Sequence, residues 1–412
     1  MRSLSTGAVE DPYSARFHLC RSGRHPDGAQ PVEGLRMSQG FAHTPVMVDD
    51  VVSLFGPVPA GLVVDATVGG GGHAAALLRA HPHLEILGID RDVEAVAAAR
   101  ATLAPFGDRA RVVHAPFDRL IELVAEALAS RDEPASGVLF DLGVSSPQLD
   151  RAERGFSYRA DAPLDMRMDR SQPLTAASVV NSWPEDELVE LLAANGEGRF
   201  ARRIVKAIIE ARPLLTTMQL VEVVRAAIPA PARRTGGHPA KRVFQALRLA
   251  VNDELALLGP ALDQALSLLA PGGRCVVLAY HSGEDRIVKD RFRSAATGGC
   301  SCPPGLPCVC GARPSVRLVF RGARRPSPAE VSANPRAESA RLRAVERVTP
   351  RASTNGEPRS ATLVGTMPSP TVPRAVSRAV SAAAIAALAA QEAAATEGEA
   401  AAKAKALRGK AA

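Results

Sequence analysis

Two stretches that combine glycine with aspartate have the spacing of a nucleotide-binding site. In residues 65–74, four consecutive glycines follow an aspartate, and Gly69-x-Gly71-x-x-Ala74 fits the glycine fingerprint of dinucleotide-binding folds. Glycine allows positive φ angles and lets a ligand approach the backbone closely. In residues 86–90, an apolar run ends in Asp90, about 20 residues after the glycines, where a carboxylate can reach a pair of ribose hydroxyls. The two stretches predict a bound nucleoside cofactor.

Two further polar side chains follow apolar runs and are candidates for catalysis. Asp141 precedes a loop rich in glycine, serine and proline that reaches Gln148, and it could hold the cofactor or receive a substrate amino group. Alternatively, Asp141 caps the backbone amides of that loop. His281 follows residues 273–280, and it is either an active-site group or a structural histidine.

The cysteines predict either a metal site or a cluster of thiols without metal. Four of the six lie close together, at Cys300, Cys302, Cys308 and Cys310, and four thiols can close a tetrahedral zinc site. The C-x-C spacing is tighter than the usual C-x2-C spacing of zinc sites, so a cluster without metal remains an alternative.

Regular alternation of strands and helices must position these groups. Strands are predicted at 62–65, 86–90, 111–114 and 137–141, and helices at 73–80, 91–101 and 118–129. This alternation indicates an α/β fold with a parallel sheet, whose ligands collect at the carboxyl ends of the strands. The segment 149–246 is predicted to be helical, and one helix is expected over 241–258. The sheet resumes at 273–280, and a final strand is expected over 315–321.

The overall composition favours a globular protein with a basic surface. The net charge is +7 and the isoelectric point is about 9.4, which permits a polyanionic partner or a solvated basic surface. No apolar run is long enough to cross a bilayer, and residues 1–30 lack a signal-peptide pattern, so a cytoplasmic protein without membrane contact is expected. The helical segment supplies candidate phosphate-binding residues, namely Arg199, Arg202, Arg203, Lys206, Arg233, Arg234, Lys241 and Arg242.

Several motifs in order resemble the bacterial ribosomal RNA small-subunit methyltransferase H family. They lie at residues 43–46, 65–73, 141–150, 154–157, 163–169, 198–204, 244–248, 281–286 and 334–337. The resemblance covers about 41–348, and the sequence Leu-Asp-Met-Arg-Met-Asp at 164–169 is long and unusual.

The resemblance implies a Rossmann-like, S-adenosylmethionine-dependent methyltransferase sheet with an inserted all-helical domain. It implies cofactor contacts by Gly71, Gly72, His73, Asp90, Phe117, Asp141 and Gln148. Composition and the resemblance together predict a disordered extension 1–40, a first methyltransferase part 41–148, a helical insert 149–246, a second methyltransferase part 247–348 that holds the cysteine cluster, and a disordered tail 349–412.

The resemblance also implies the reaction, which is methylation of N4 of a cytidine in the decoding region of 16S rRNA. The expected partner is 16S rRNA or the small ribosomal subunit, and a homodimer is also considered. Two other functions fit parts of the sequence. An NAD-dependent dehydrogenase would use the same glycine loop and Asp90, whereas a zinc-dependent RNA-binding module would need only the cysteines and basic residues.

Overall fold

The computed structural model describes residues 45–128, 133–233, 238–303 and 309–349. The predicted extension 1–40 and, apart from Thr349, the predicted tail 349–412 lie outside these ranges. Within the described residues, helices cover both faces of a mixed sheet, and a further group of helices follows the fourth strand. None of the described helices combines the length and apolar character that a bilayer span requires.

In the described part of the chain, the sheet has seven strands in the order β3-β2-β1-β4-β5-β7-β6. The strands are β1 (Gly61–Asp65), β2 (Leu84–Asp90), β3 (Ala110–His114), β4 (Ala135–Asp141), β5 (Leu269–Ala279), β6 (Val316–Leu318) and β7 (Arg341–Arg347). Strands β1 to β5 pair in parallel, whereas β7 is antiparallel to both β5 and β6. The predicted parallel α/β sheet is therefore confirmed.

The helices that cover this sheet lie before, between and after its strands. They are α1 (Val48–Phe55), α2 (Gly72–Ala80), α3 (Val93–Leu103), α4 (Leu120–Leu128), α12 (Glu254–Leu268), α13 (Ser282–Thr297) and α14 (Pro328–Ala333). Those of the long connection between β4 and β5 are α5 (Ser146–Asp150), α6 (Ala176–Ser182), α7 (Glu185–Leu192), α8 (Ala201–Glu210), α9 (Thr217–Ala227), α10 (Ala230–Arg233) and α11 (Lys241–Asn252).

The core has three parts. Successive strand side chains point to opposite faces, so Val63 packs with α1 to α3 on one face and Val64 packs with α4 and α12 on the other. A third cluster, between Phe156 and Val251, is built mainly from the helices of the long connection. These helices therefore have a hydrophobic core of their own, although α11 crosses the predicted boundary at residue 246.

Two predicted elements differ from the structure. The helix expected over 241–258 is divided into α11 and α12, because Asp253 between them adopts a left-handed conformation with φ of 49°. The strand expected over 315–321 is only Val316–Leu318. It pairs with β7, which the sequence analysis did not predict.

Candidate functional site

A cleft of about 1460 Å³ runs along the carboxyl ends of the parallel strands. Asp65, Asp90 and Asp141 are the last residues of β1, β2 and β4, so three carboxylates end at the same edge of the sheet. The predicted cofactor residues that line the cleft are Gly72, His73, Asp90, Phe117, Asp141 and Gln148. The structure thus brings together six of the seven residues that the family resemblance implies.

The glycine loop after β1 forms one end of this cleft. Gly69 adopts a φ of +52°, lines the cleft and donates its amide to Oδ2 of Asp90 over 2.9 Å. Gly71 faces α3 instead, since a Cβ there would lie 3.3 Å from Cα of Ala99, and its amide donates to Val68 O. The role of Gly71 as a direct cofactor contact stays a prediction.

Asp90 is held as an acceptor at the end of β2. Its Oδ2 accepts the amide of Gly69, and its Oδ1 accepts the amide of Asp92 over 2.9 Å. Burial raises the pKa of Asp90 to about 6, and the two amide hydrogen bonds limit that rise. Carboxylate oxygens can each accept more than one hydrogen bond, so the group retains capacity for a ligand hydroxyl.

Residues around Asp90 fit a nucleoside. Phe117 also lines the cleft, with its ring packed edge-on against Phe140 at a centroid distance of 6.0 Å. The amino end of α2 opens on the same space and supplies backbone amides with a partial positive charge. An acceptor for sugar hydroxyls, an aromatic ring and close backbone approach at Gly69 are therefore in one cleft.

Gln148 fixes the loop after β4. Its Oε1 accepts the amide of Ser145 over 3.0 Å, and its Nε2 donates to Oδ2 of Asp92 over 2.9 Å. The same Asp92 oxygen accepts Nη2 of Arg154 over 2.8 Å. Gln148, Asp92 and Arg154 are all buried, so this network joins the start of α3 to the loop 141–148.

Asp141 lies between two hydrogen-bonding side chains. Its Oδ1 accepts the phenol of Tyr280 over 2.6 Å, and its Oδ2 lies 3.4 Å from Nδ1 of His73. The Asp141 side chain is 26% exposed, so it remains accessible from the cleft. Burial, reinforced by the charge of Asp141, raises the pKa of Tyr280 well above its ordinary value, so the phenol stays protonated and keeps donating.

His73 is oriented by the chain before α1. Its Nε2 lies 2.9 Å from the carbonyl oxygen of Val46, which can only accept, so Nε2 carries a proton. Nδ1 then faces the Asp141 carboxylate, an arrangement that favours the imidazolium form. Burial alone would lower the pKa of His73, but the hydrogen bond and charge of Asp141 outweigh it, and the pKa is raised.

Asp65, at the end of β1, is a further titratable group that interacts with His73. The carboxyl group is almost completely buried, and burial raises its pKa to about 7, although the charge of His73 opposes the rise. Near neutral pH, the carboxyl group at the end of β1 is therefore partly protonated.

The structure gives His281 a structural role at the start of α13. Its Nδ1 accepts the amides of Gly283 over 3.1 Å and Glu284 over 3.4 Å, and Glu284 completes the capping box. Its Nε2 lies 3.0 Å from Oε1 of Glu284, at ion-pair distance but with poor hydrogen-bond alignment. His281 also lines the cleft, and its catalytic role stays a prediction.

Basic and aromatic side chains line the mouth of the cleft. Arg159 and Lys241 are exposed there, beside Tyr158, whose ring stacks on His238 at 4.5 Å. A neighbouring cavity of about 630 Å³ shares Tyr158 and Arg159, and it is also lined by Arg225, Arg233 and His238. This mouth has the charge and the aromatic surface that suit a polyanion with planar bases.

The predicted phosphate-binding residues have different surroundings. Of those in the described residues, Lys241 lines the cleft and Arg233 lines the neighbouring cavity, whereas Arg199, Arg202, Arg203, Lys206 and Arg242 are exposed and line neither. Lys206 pairs with Glu210 at 3.9 Å and Arg242 with Glu197 at 3.4 Å. Arg234 lies outside the described residues.

The predicted cysteine cluster lies outside the cleft lining. The sulfur atoms of Cys300, Cys302 and Cys310 are within 4.8 Å of one another, while Cys308 falls outside the described residues. A zinc ion at this position stays a prediction.

Sequence reasoning missed Tyr280 and Asp92 as parts of the site. Tyr280 immediately follows β5, and Asp92 lies two residues after Asp90. Both positions are at strand ends, which is the available signal, but their partners Asp141 and Gln148 are distant in sequence and become neighbours only in the folded chain.

Comparison with known proteins shows the family of this chain. The model of the MraW methylase family matches residues 40–348. A ribosomal RNA small subunit methyltransferase H of Thermobifida fusca is 53% identical over 328 residues, covering 78% of this chain and 98% of the relative. The protein of the same name from Symbiobacterium thermophilum is 52% identical over 310 residues, covering 74% and 96%.

Two solved structures also align with this chain, at low identity. An rRNA methylase of Streptococcus thermophilus has a TM-score of 0.33 and 12% identity, and 73% of this chain and 95% of that chain are covered. An N-methyltransferase of Bradyrhizobium japonicum in complex with S-adenosyl-L-homocysteine has a TM-score of 0.29 and 9% identity, with 73% and 85% covered.

The family match spans the glycine loop, the three strand-end aspartates, the helical connection and β7. The Rossmann-like methyltransferase sheet with inserted helices is therefore confirmed, and this chain belongs to the MraW methylase family.

Proposed function

We propose that this protein uses S-adenosylmethionine to methylate N4 of a cytidine in the decoding region of 16S rRNA. The observation that carries this proposal is the continuity of the cleft. The same cleft is lined by Gly69, Asp90 and Phe117, by Asp141, and by Tyr158 and Lys241. The names of the Thermobifida fusca and Symbiobacterium thermophilum relatives support an rRNA substrate.

S-adenosylmethionine would supply a methyl group bound to a positively charged sulfur. The carbon of this methyl group is electrophilic without further activation. Asp90 would accept hydrogen bonds from the ribose hydroxyls, and Phe117 would border the adenine. The backbone at Gly69 and Gly70, which lines the cleft, would contact the cofactor, and Gly72 keeps the turn compact because a Cβ there would lie 2.6 Å from Cγ of Pro45. His73 and Gln148 position Asp141 and its loop.

Asp141 is the group that we expect to activate the amine of the target cytosine. The exocyclic amine of cytosine is a poor nucleophile because its lone pair conjugates with the ring. A carboxylate that accepts one of its N–H groups helps the nitrogen to pyramidalise during attack, and it can take the proton released when the N–CH₃ bond forms. Tyr280 and His73 hold the two oxygens of Asp141 in place, so the acceptor is oriented before the base arrives.

The residues at the mouth of the cleft support RNA as the substrate. A base inside an RNA helix cannot reach Asp141, so the target cytidine must leave its stack. Tyr158 offers an aromatic face close to the path of the base, and Arg159 and Lys241 offer charges for the adjacent phosphates.

Both alternative functions leave observations unexplained. A dehydrogenase would use the glycine loop and Asp90, but it gives no role to the Asp141–Tyr280 pair or to the basic mouth, and the chain belongs to a methylase family. An RNA-binding module that depended only on the cysteines would give no role to the buried acceptors in the cleft. These observations favour methyl transfer.

The test is transfer of a tritiated methyl group to small ribosomal subunits from a strain that lacks the enzyme, followed by mass spectrometry of the nucleosides. The expected product is N4-methylcytidine in 16S rRNA. Asp90→Ala and Asp141→Asn should lose most of the activity, while the exposed Asp108→Asn variant, outside the cleft lining, should retain it. Methylation of another atom, or tight binding of NAD without binding of S-adenosylmethionine, would contradict the proposal.

A further inference from the structure

Outside the cleft lining, three cysteine side chains converge at the loop that follows α13. We propose that Cys300, Cys302 and Cys310 bind one zinc ion as thiolates, and that this site is structural and separate from the methyl-transfer cleft. Among the described residues, this is the one group of three or more histidine, cysteine or acidic side chains whose ligand atoms are mutually close enough to share a metal ion.

The distances between the sulfur atoms fit a tetrahedral ion. The sulfur atoms of Cys300 and Cys310 are 3.5 Å apart, and all three lie within 4.8 Å of one another. With Zn–S bonds of about 2.3 Å, two sulfurs of a tetrahedral site are separated by about 3.8 Å. Small side-chain movements are therefore enough to reach that geometry.

Backbone contacts made by residues other than the cysteines hold the two ends of this loop together. Gly298 ends α13 with a φ of +64° and is packed so closely on Arg313 that a Cβ would lie 2.5 Å from its backbone. Ser315 donates its amide to Ala295 O over 3.0 Å, and Val348 donates to Ser315 O over 3.1 Å. The thiols therefore project from a loop whose base is fixed between α13 and β6.

The donor set favours zinc over other occupants. Thiolates select zinc, copper(I) or iron–sulfur clusters rather than magnesium or calcium, which require oxygen donors. Zinc has no redox chemistry of its own and prefers tetrahedral coordination, so one further ligand would complete the three sulfurs. A disulfide between Cys300 and Cys310 would use only two of the three sulfurs and would leave the position of Cys302 unexplained.

Zinc binding would reinforce the loop between α13 and β6. Each thiol releases its proton to solvent as its Zn–S bond forms, so occupancy should decrease at acidic pH. The three cysteines are half-buried or exposed and do not line the cleft, so loss of the metal should lower the thermal midpoint while methyl transfer persists at permissive temperature.

The metal content of the full-length protein tests the proposal. The protein is purified in reducing buffer, equilibrated with zinc, passed over a desalting column and analysed by plasma mass spectrometry. About one zinc per chain is expected in the wild type, and at least about tenfold less in Cys302→Ser. The matched control is Cys275→Ala, which removes a buried cysteine from β5 and should retain the metal.

Cobalt substitution of the wild-type protein provides a second measurement if Cys302→Ser does not fold. An intense sulfur-to-cobalt charge-transfer band is expected for three thiolate ligands, and zinc should displace it. Three results would overturn the proposal. They are the absence of both zinc and this band, an equal zinc content in Cys302→Ser and wild type, and a Cys300–Cys310 disulfide that persists in reducing buffer.

Discussion

The phenol of Tyr280, directly after β5, donates a 2.6 Å hydrogen bond to Oδ1 of Asp141 at the end of β4. Since β4 and β5 are parallel neighbours, the two residues meet at the carboxyl edge of the sheet, where Asp141 lines the cleft. The orientation of the candidate acceptor is thus set by a side chain that sequence analysis did not select.

Tyr280→Phe should therefore slow methyl transfer without weakening cofactor binding. The ring keeps its packing, but Asp141 loses a donor, and a hydrogen bond to a charged group is worth about 1.5–3 kcal/mol. The turnover rate is expected to fall about tenfold or more, and the dissociation constant of S-adenosylhomocysteine should stay within about twofold. A wild-type rate for Tyr280→Phe would show that the hydrogen bond does not orient the acceptor.

Cofactor affinity should depend on pH through Asp90. The pKa of this carboxyl group is raised to about 6 by burial, so it is mainly ionised above that value and mainly protonated below it. The carboxylate is the stronger acceptor for ribose hydroxyls, and the affinity for S-adenosylhomocysteine should therefore fall as the pH decreases through about 6.

Isothermal titration across this pH range checks the dependence. Asp90→Asn should bind about tenfold more weakly than wild type at neutral pH and should show a flatter pH profile. The exposed Asp108→Asn variant should follow the wild-type curve. An unchanged pH profile in Asp90→Asn would assign the titration to another group.

Two arginines that contact the same glutamate should differ greatly in their contribution to stability. Arg154 is 2% exposed and pairs with Asp92 at 2.8 Å and Glu94 at 3.2 Å, whereas Arg151 is 46% exposed and pairs with Glu94 at 2.7 Å. Arg154→Ala leaves the buried Asp92 without its charge partner, so the free energy of unfolding should fall by about 3–5 kcal/mol.

Arg151→Ala is the matched control, and its effect should be less than about 1 kcal/mol, because solvent screens an exposed ion pair. Denaturant unfolding of both variants measures the difference. Equal decreases in the free energy of unfolding for the two variants would show that burial does not increase the contribution of the Arg154–Asp92 pair to stability.

RNA binding should depend on salt through the mouth of the cleft. If Lys241 contacts a phosphate, Lys241→Gln should weaken binding to the small subunit and lower the slope of log K against log salt by about 1. Filter binding at several salt concentrations measures this slope. Arg293→Gln, which removes an exposed charge of α13 outside the cleft lining, should leave both quantities unchanged; equal effects of the two variants would place the RNA elsewhere.

The sequence by itself determined the parallel part of the sheet and the residues at its carboxyl edge. Local patterns are sufficient there, because buried parallel strands are short apolar runs and their last residues must meet at one edge. The glycine fingerprint, Asp90 and Asp141 could therefore be predicted without coordinates. Thr216 and Gln219 have the spacing of a capping box at the start of α9, and the two residues form one.

The tertiary structure decided what those local patterns do not contain. β7 is highly charged and escaped prediction, yet Glu346 pairs across the sheet with Arg274 and Arg317, at 2.9 and 2.6 Å. Ser182 and Glu185 have the spacing of a capping box, but they do not form one, since Ser182 ends α6 and Pro184 precedes α7. Partners such as Tyr280 for Asp141 become neighbours only when distant strands pair, and spacing along the chain cannot encode contacts of that range.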